Sequence, residues 1–525
     1  VRSAAIAVKK LAILSHRWMG VAFCLLFLWW FLSGIVMMYW GYPEITESDR
    51  LARAPALEAA RVKLSAERAL QAAGFEDPPD GVRLGSFDGR PAYFFRIGHG
   101  SAIVYADTGE QQDVFSDELN LRTAARWAGL PESSAAIELV EKPDQWTLLG
   151  AVRRQLPLRK YVFPDGQHVY INPDTGEVVQ HTTRASRLWA HLGAIPHWLY
   201  YTPLRTQQQL WSNIVIWSSG LASVVALLGM IVGVWMWSPV QKKYRLAGQP
   251  TSIPYTGQKR LHTILGLGFG VLAMTWAFSG MMSMDPFPVL SGGPIGGRDG
   301  QSQPGPAQRV QQALGGRLDL QLFEGKHPQE VLAQLDPAFA VKELEWTSFT
   351  GLPVFHAKDG SGQIRVIPAT AAAADKLYAE TIFRVIRAAA GEGQLAELRA
   401  LTQYDWYYLD RTRRRPLPVI YARFRDPNDT RLYIDPNTAR VVGRYANTTQ
   451  GWVNRWLYHG LHSLDLPWLY NHRPAWDIVV LSLMLGCTWL CWTSIVLSWR
   501  VLKRKFAHRR VPNEDLPAAS DPGAL

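Results

Sequence analysis

The residues best suited to chemistry are histidines, and two of them open the same pattern. His16 heads the stretch HRWMGVAFCLLFLWWFLSG (16–34) and His262 heads HTILGLGFGVLAMTWAFSG (262–280). Each histidine is followed by Gly four residues on (Gly20, Gly266), by Trp at fourteen (Trp30, Trp276), and by Ser-Gly at seventeen and eighteen (Ser33-Gly34, Ser279-Gly280). At about 100° per residue His, both Gly and Trp share one helical face, and eighteen residues rise roughly 27 Å, close to the hydrocarbon thickness of a bilayer. If two such helices run parallel, His16 and His262 face each other at one depth. Two neutral imidazoles can supply both axial ligands of a haem, and Gly20 and Gly266 let a flat macrocycle approach the backbone. Zinc suits the pair less, because no Cys or carboxylate accompanies it.

A second group of histidines lies at the other end of the apolar runs. RLWAH (187–191) and IPHWLYY (195–201) precede the second run, and RWLYHGLH (455–462) and PWLY (467–470) precede the fourth. Trp and Tyr at this density suit the headgroup zone. Counting from the arginines pairs His191 with His459; counting back from Trp211 and Trp476 pairs His197 with His462. A second haem site is expected from His197 with His459 or His462, with Gly34 and Gly280 leaving room for its macrocycle. Two haems b would give electrons a path across the membrane. The remaining histidines, His99, His168, His181, His327, His356, His472 and His508, fall in polar segments and are expected at the surface.

These residues need helices to hold them. Four runs without Asp, Glu, Lys or Arg, at 18–40, 209–237, 263–284 and 478–499, are each long enough to span a bilayer. The expected class is an α+β integral membrane protein with four transmembrane helices, arranged as two parallel-duplicated pairs. Between them lie segments 41–208 and 285–477, expected to be two α+β domains outside the membrane, and a short loop at 238–262. The flanks 1–17, 238–262 and 500–525 hold fifteen Lys and Arg against three acids, within a net charge of +11. The positive-inside rule then puts both termini and the short loop in the cytoplasm and the large domains outside, and it leaves nucleic acid binding without support. The first run is too long for a signal-peptide core and lacks a cleavage site, so an uncleaved anchor is expected. Cys24, Cys487 and Cys491 all lie in the runs, so the outer domains contain no disulfide.

Within the outer segments, 51–74 has helical periodicity ending at a Gly cap. The pairs 90–96 with 101–105, and 159–163 with 168–172, alternate as strands. The second segment offers 351–355, 363–367, 417–424 and 431–438, and its Tyr433-Ile-Asp-Pro-Asn-Thr matches Tyr170-Ile-Asn-Pro-Asp-Thr. An internal duplication accounts for this agreement. Residues 285–316, rich in Gly and Pro, read as a linker.

The ordered motifs resemble the PepSY-associated transmembrane family, whose members include inner-membrane ferric-siderophore reductases. The resemblance rests on His16-Arg-Trp-Met-Gly20 with Ser33-Gly34, on their counterparts at 262–280, on Pro196-His-Trp-Leu-Tyr200 and Tyr458-His-Gly-Leu-His-Ser-Leu464, and on hairpins ending in Tyr-Ile-Asn-Pro-Asp-Thr-Gly-Glu. It implies a multi-pass protein of the bacterial inner membrane, four membrane helices, periplasmic PepSY-like domains and, in reductase members, two haems b. The cytoplasmic pieces are too small for a nucleotide domain, and the glycines of Gly266-Leu-Gly-Phe-Gly270 lie inside a membrane helix. Electrons are therefore expected from membrane quinol or another donor, passing to a periplasmic ferric siderophore or other chelate. Arg411, Arg413, Arg414, Arg415, Arg423 and Arg425 form a basic cluster able to attract an anionic chelate, or else an ordinary solvated face. The rival readings are a non-enzymatic PepSY module for binding or assembly, and a siderophore or metal permease. A permease would want charged groups inside the runs.

Overall fold

The computed structural model describes residues 2–98, 100–286, 304–370, 379–410 and 414–508. Four long helices carry the apolar runs: α1 (Arg2–Met37), α2 (Gln208–Trp235), α3 (Gly257–Met282) and α4 (Ala475–His508). All four are long and apolar enough to cross a membrane. They extend past the uncharged runs because Lys and Arg are good helix formers and their long stems can reach the membrane edge. His262, placed by sequence in the loop 238–262, thus lies in the second turn of α3.

α1 packs on α2 and α4, and α3 packs on the same two, so α1 and α3 stand diagonally across a four-helix bundle. Phe27, Phe31, Ala222, Val225, Ala273, Trp276, Cys487 and Cys491 fill its core. The outward faces carry exposed Leu25, Trp29, Trp217, Leu485, Trp489 and Trp492. Such a belt belongs against lipid rather than water. The three cysteines are free and buried.

Outside the bundle the first segment contributes β1 (Gly81–Phe87), β2 (Arg90–Ile97), β3 (Gly100–Tyr105), β4 (Ala136–Val140), β5 (Leu158–Val162), β6 (His168–Ile171) and β7 (Val178–Thr182). A small hairpin, β8 (Tyr244–Leu246) and β9 (Gln249–Thr251), fills the loop between α2 and α3. The second large segment contributes β10 (Val341–Phe349), β11 (Leu352–Asp359), β12 (Ile364–Pro368), β13 (Leu395–Leu401), β14 (Val419–Phe424), β15 (Arg431–Ile434) and β16 (Val441–Tyr445). Strands β4 to β7 form one antiparallel sheet and β13 to β16 another. Both carry a register shift at the same place, after Tyr170 in β6 and after Tyr433 in β15.

The two outer segments are not separate domains, as the sequence suggested. Their remaining strands form one six-stranded sheet in the order β12-β11-β10-β1-β2-β3, joined where β1 pairs antiparallel with β10. Val82 lies opposite Trp346 and Leu84 opposite Leu344 across this seam. The pairing gives β1 and β10 two neighbours each, so neither is left as an open edge.

Charge braces the same seam. The Glu343 side chain, 2% exposed, meets Arg50 at 2.7 Å, Lys358 at 3.0 Å and Arg83 at 3.4 Å. Lys358 also reaches Glu47 and Glu345, and Glu345 meets Arg440 at 2.6 Å. Burial alone would raise the Glu345 carboxyl, but Arg440 and Lys358 overcome it and hold the group down to about 2.

Three local expectations change. The helix over 51–74 is broken into Glu47–Arg53 and Ala66–Ala72, with Gly74 at φ +75° closing the second piece. Pro55 causes the break by holding Ala54 extended (φ −69°, ψ 141°), and Ser65 caps the restart. The expected linker 285–316 contains a helix, Pro306–Leu314, with proline at its first turn, while residues 287–303 lie outside the described set. His356 is a core residue at 1% exposure, its Nδ1 has no hydrogen-bond partner among the described residues, and burial pushes its imidazole down to about 3. His168 and His181 are half-buried in β6 and β7. His99 and the side chain of His508 lie outside the described residues.

Candidate functional site

The bundle brings its histidines together in two pairs. Across the diagonal, the rings of His16 on α1 and His262 on α3 have centres 6.3 Å apart with planes inclined at 32°. At the other end of the bundle, His197 in the short helix Ala194–Trp198 meets His462, with ring centres 6.1 Å apart and planes at 67°. His462 ends a π-helical segment, Val453–His462. The placements rest on matching anchors: Trp211 Nε1 donates to the carbonyl of Trp198 at 2.8 Å, and Trp476 Nε1 donates to that of Leu464 at 3.1 Å. Counting back from these two tryptophans is therefore the alignment that holds.

All four imidazoles are fixed through Nδ1. His16 Nδ1 lies 3.0 Å from the Val225 carbonyl, and His262 Nδ1 lies 3.0 Å from Thr493 Oγ1. His197 Nδ1 is 3.1 Å from Ser33 Oγ and 3.2 Å from the Trp30 carbonyl. His462 Nδ1 repeats this with Ser279 Oγ at 3.1 Å and the Trp276 carbonyl at 3.2 Å. Ser33 Oγ donates its own proton to the Trp29 carbonyl, so it accepts from the imidazole N–H. Among the described residues no hydrogen bond engages Nε2 of any of the four. A tethered Nδ1 fixes tautomer and ring direction and leaves Nε2 as a lone-pair donor, the usual state of a metal-ligating histidine. Burial keeps the His197 imidazole down at about 3, helped by neighbouring His462, and lowers His462 as well. Both rings are then neutral near pH 7, as ligation requires.

The spacing is shared by ordinary ring packing, such as Phe27 on Phe31 at 6.2 Å, and by a pair of histidines that ligate one metal. Two imidazoles trans on a single metal have ring centres about 6.2 Å apart, from metal–nitrogen bonds of about 2.0 Å and about 1.1 Å from nitrogen to ring centre on each side. Both pairs lie at this distance. Among the described residues no cluster of three or more His, Cys, Asp or Glu is placed to hold a bare metal ion. Two protein ligands per site suit a metal that brings four more on a macrocycle.

Space for one is present at the first pair. A cavity of about 640 Å³ surrounds His16 and His262, bordered by Gly20, Gly229, Gly266 and Gly270. A methyl group on Gly20 would meet nothing within 4 Å, and one on Gly266 would only graze Leu490, so both glycines face open space. Gly34 and Gly280 lie beside the outer pair: a methyl group on Gly34 would come 2.6 Å from Met484 Cε and touch His197 Cε1 at 3.4 Å, and one on Gly280 would make ordinary contact with His462 Cε1 at 3.6 Å.

The family model described as the PepSY-associated TM region matches residues 14–378, taking in most of α1, all of α2 and α3, and the whole six-stranded sheet. The chain belongs to that family. No curated protein is significantly similar to it. The match begins two residues before His16, and it includes His197 and His262 but ends before His462 and α4.

Two other expected ligands stand apart. His459 Nδ1 is 2.9 Å from Asp465 Oδ2, its side chain is 44% exposed, and it is not the partner of His197. His191 bonds its own helix at the Arg187 carbonyl and packs edge-on against Trp146. Of the basic cluster, Arg411 and Arg413 lie outside the described residues. Arg414 and Arg415 are exposed, Arg415 stacks over Tyr408, and Arg423 is paired with Asp429. The Arg415 carbonyl accepts from Tyr404, whose own carbonyl accepts from Asn471, so this loop rests on the segment that follows His462. The sequence reading missed the Nδ1 partners Val225, Thr493 and Ser494, and it missed Gly229, where a methyl group would come within 2.5 Å of His16 Cε1. The available signal was a stripe of small residues, Ala222, Ala226, Gly229 and Gly233, at helical spacing in α2.

Proposed function

We propose that this chain is a transmembrane electron conduit that reduces a ferric chelate, of the siderophore kind, on the face of the membrane occupied by its large β-rich region. The observation carrying the reading is the pair of imidazole pairs, one at each end of one bundle, each with Nδ1 tethered and ring centres about as far apart as two axial ligands would be. A haem b held by His16 with His262, and another held by His197 with His462, would each carry one electron at a time. The protein's part is to keep the rings neutral and rigid, through Ser33, Ser279, Thr493 and backbone carbonyls, and to exclude water with the aromatic core between the pairs. Phe31 and Trp276 meet 5.8 Å apart in that core.

The basic flanks orient the His16–His262 pair toward the cytoplasm and the His197–His462 pair outward. Electrons enter from quinol or another membrane donor. At the outer face one electron converts bound Fe(III) to Fe(II), which hard oxygen chelators hold less tightly, and iron is released. The loop bearing Arg414 and Arg415, resting on the His462 segment, offers positive charge to an anionic chelate.

The test uses purified protein reduced with dithionite, freed of excess reductant and mixed with an anionic ferric chelate, ferric citrate, beside a ferrous-iron trap. A reduced Soret band that returns to the oxidised form while Fe(II) accumulates supports the proposal. A reduced protein left unchanged by every ferric chelate offered removes the reductase assignment.

A further inference from the structure

The basic residues that orient the chain are not all placed alike. Lys242 and Lys243 immediately precede β8, Arg245 lies in it, and Lys9 sits over Trp235. Arg17, Lys259, Arg500 and Arg504 instead line the mouth of the cavity around His16 and His262. They arrive from α1, α3 and α4, and among the described residues no Asp or Glu lines the cavity with them. Among the described residues none of the four makes an ion pair; Arg17 lies over the Trp18 ring and Lys259 over the Tyr255 ring. Deeper in, the wall turns apolar, with Val21, Phe27 and Ala273, and the glycines keep it thin. The cavity therefore suits a flat apolar body with an anionic edge. The described parts of the basic flanks hold no acid anywhere, so the sign of the cavity follows from the flanks; what sets these four apart is that three different helices bring them to one cavity.

We propose that Arg17, Lys259, Arg500 and Arg504 hold the carboxylate edge of the planar group ligated by His16 and His262, which therefore stands with its acids toward the basic face and its apolar edge toward Phe27 and Ala273. This rests on the haem reading above and adds a requirement to it: the ligand must carry free acids. Guanidinium groups suit the task because they bind carboxylates in a bidentate fashion and stay charged at any working pH. Cations at that edge also neutralise the carboxylates and favour the reduced state.

The test compares haem with its dimethyl ester, in which both acids are capped, by titrating apo full-length chain. The H462A background leaves the first pair alone to report. The parent chain is expected to bind haem about tenfold or more tighter than the ester, and R17Q/R500Q/R504Q is expected to lose that preference and show a lower midpoint potential. The control K242Q/K243Q/R245Q removes the same charge from the same face and keeps both properties. Equal affinity of the parent chain for haem and ester, or a triple-arginine variant that behaves like the parent, overturns the proposal. If no chain takes up either compound, the ligation of haem itself fails, and this inference falls with it.

Discussion

Gly229→Ala is a small change with a large consequence. A methyl group on that α2 residue would sit 2.5 Å from His16 Cε1, 3.1 Å from Nδ1 and 3.2 Å from Nε2. Carbon atoms prefer about 3.5–4.0 Å, so the imidazole must retreat by roughly 1 Å. The ring is tied one turn earlier on the same helix, by Nδ1 to the Val225 carbonyl at 3.0 Å. A 1 Å retreat takes that contact out to about 4 Å, beyond a hydrogen bond. Overpacking costs about 1–3 kcal/mol and the lost bond about 0.5–1.5, against about 1 kcal/mol gained from alanine in a helix. The net, about 0.5–3.5 kcal/mol taken from ligation by His16, weakens binding at that pair roughly 2- to 400-fold. Haem counted by pyridine haemochrome should fall from two toward one per chain, with the His197–His462 spectrum retained. Gly268→Ala is the control, because a methyl group there meets nothing within 4 Å. A Gly229→Ala chain keeping two unperturbed low-spin haems would refute the placement of His16.

Other consequences follow from the same contacts. Ser33→Ala or Ser279→Ala removes a hydrogen-bond acceptor from an Nδ1–H while a backbone carbonyl remains, at a cost of about 0.5–1.5 kcal/mol. The outer haem's potential should rise while the inner one stays put in a redox titration; equal movement of both would count against the assignment. Glu343→Ala strips a buried carboxylate from Arg50, Lys358 and Arg83 across the β1–β10 seam and should cost about 3–5 kcal/mol in thermal unfolding. A melt unchanged from the parent would show that the seam does not depend on it. Glu345 is held down to about 2 from an ordinary 4.5, so its contribution is complete above pH 4.5 and drains away as pH falls toward 2. Melting temperature between pH 5 and 2 should show this loss, and Arg440→Gln should flatten it; an identical acid profile in that variant would rule the pair out.

How much of this was legible in the sequence depended on distance along the chain. The membrane helices needed only local composition, and the facing of His16 and His262 needed only one spacing met twice. The outer pair was legible to within one choice. His459 and His462 are three residues apart and would share an α-helical face, but the π-helical hydrogen bonding over Val453–His462 widens the turn and separates them. His459 turns to Asp465 and His462 to Ser279. The joined sheet was not legible, because β1 and β10 meet from segments some 260 residues apart. Glu343, Glu345 and Lys358 look like a solvent-facing edge until Glu47, Arg50 and Arg83 of the other half are seen beside them. His356 was misjudged for the same reason: polar neighbours in sequence, a buried sheet in space.

Haem stoichiometry in single-histidine variants tests the central claim most directly. The parent chain should carry two low-spin haems b. His16→Ala and His262→Ala should each lose the same one, His197→Ala and His462→Ala should each lose the other, and His459→Ala should keep both. A parent chain without haem, or losses that do not sort into these two pairs, would contradict the account.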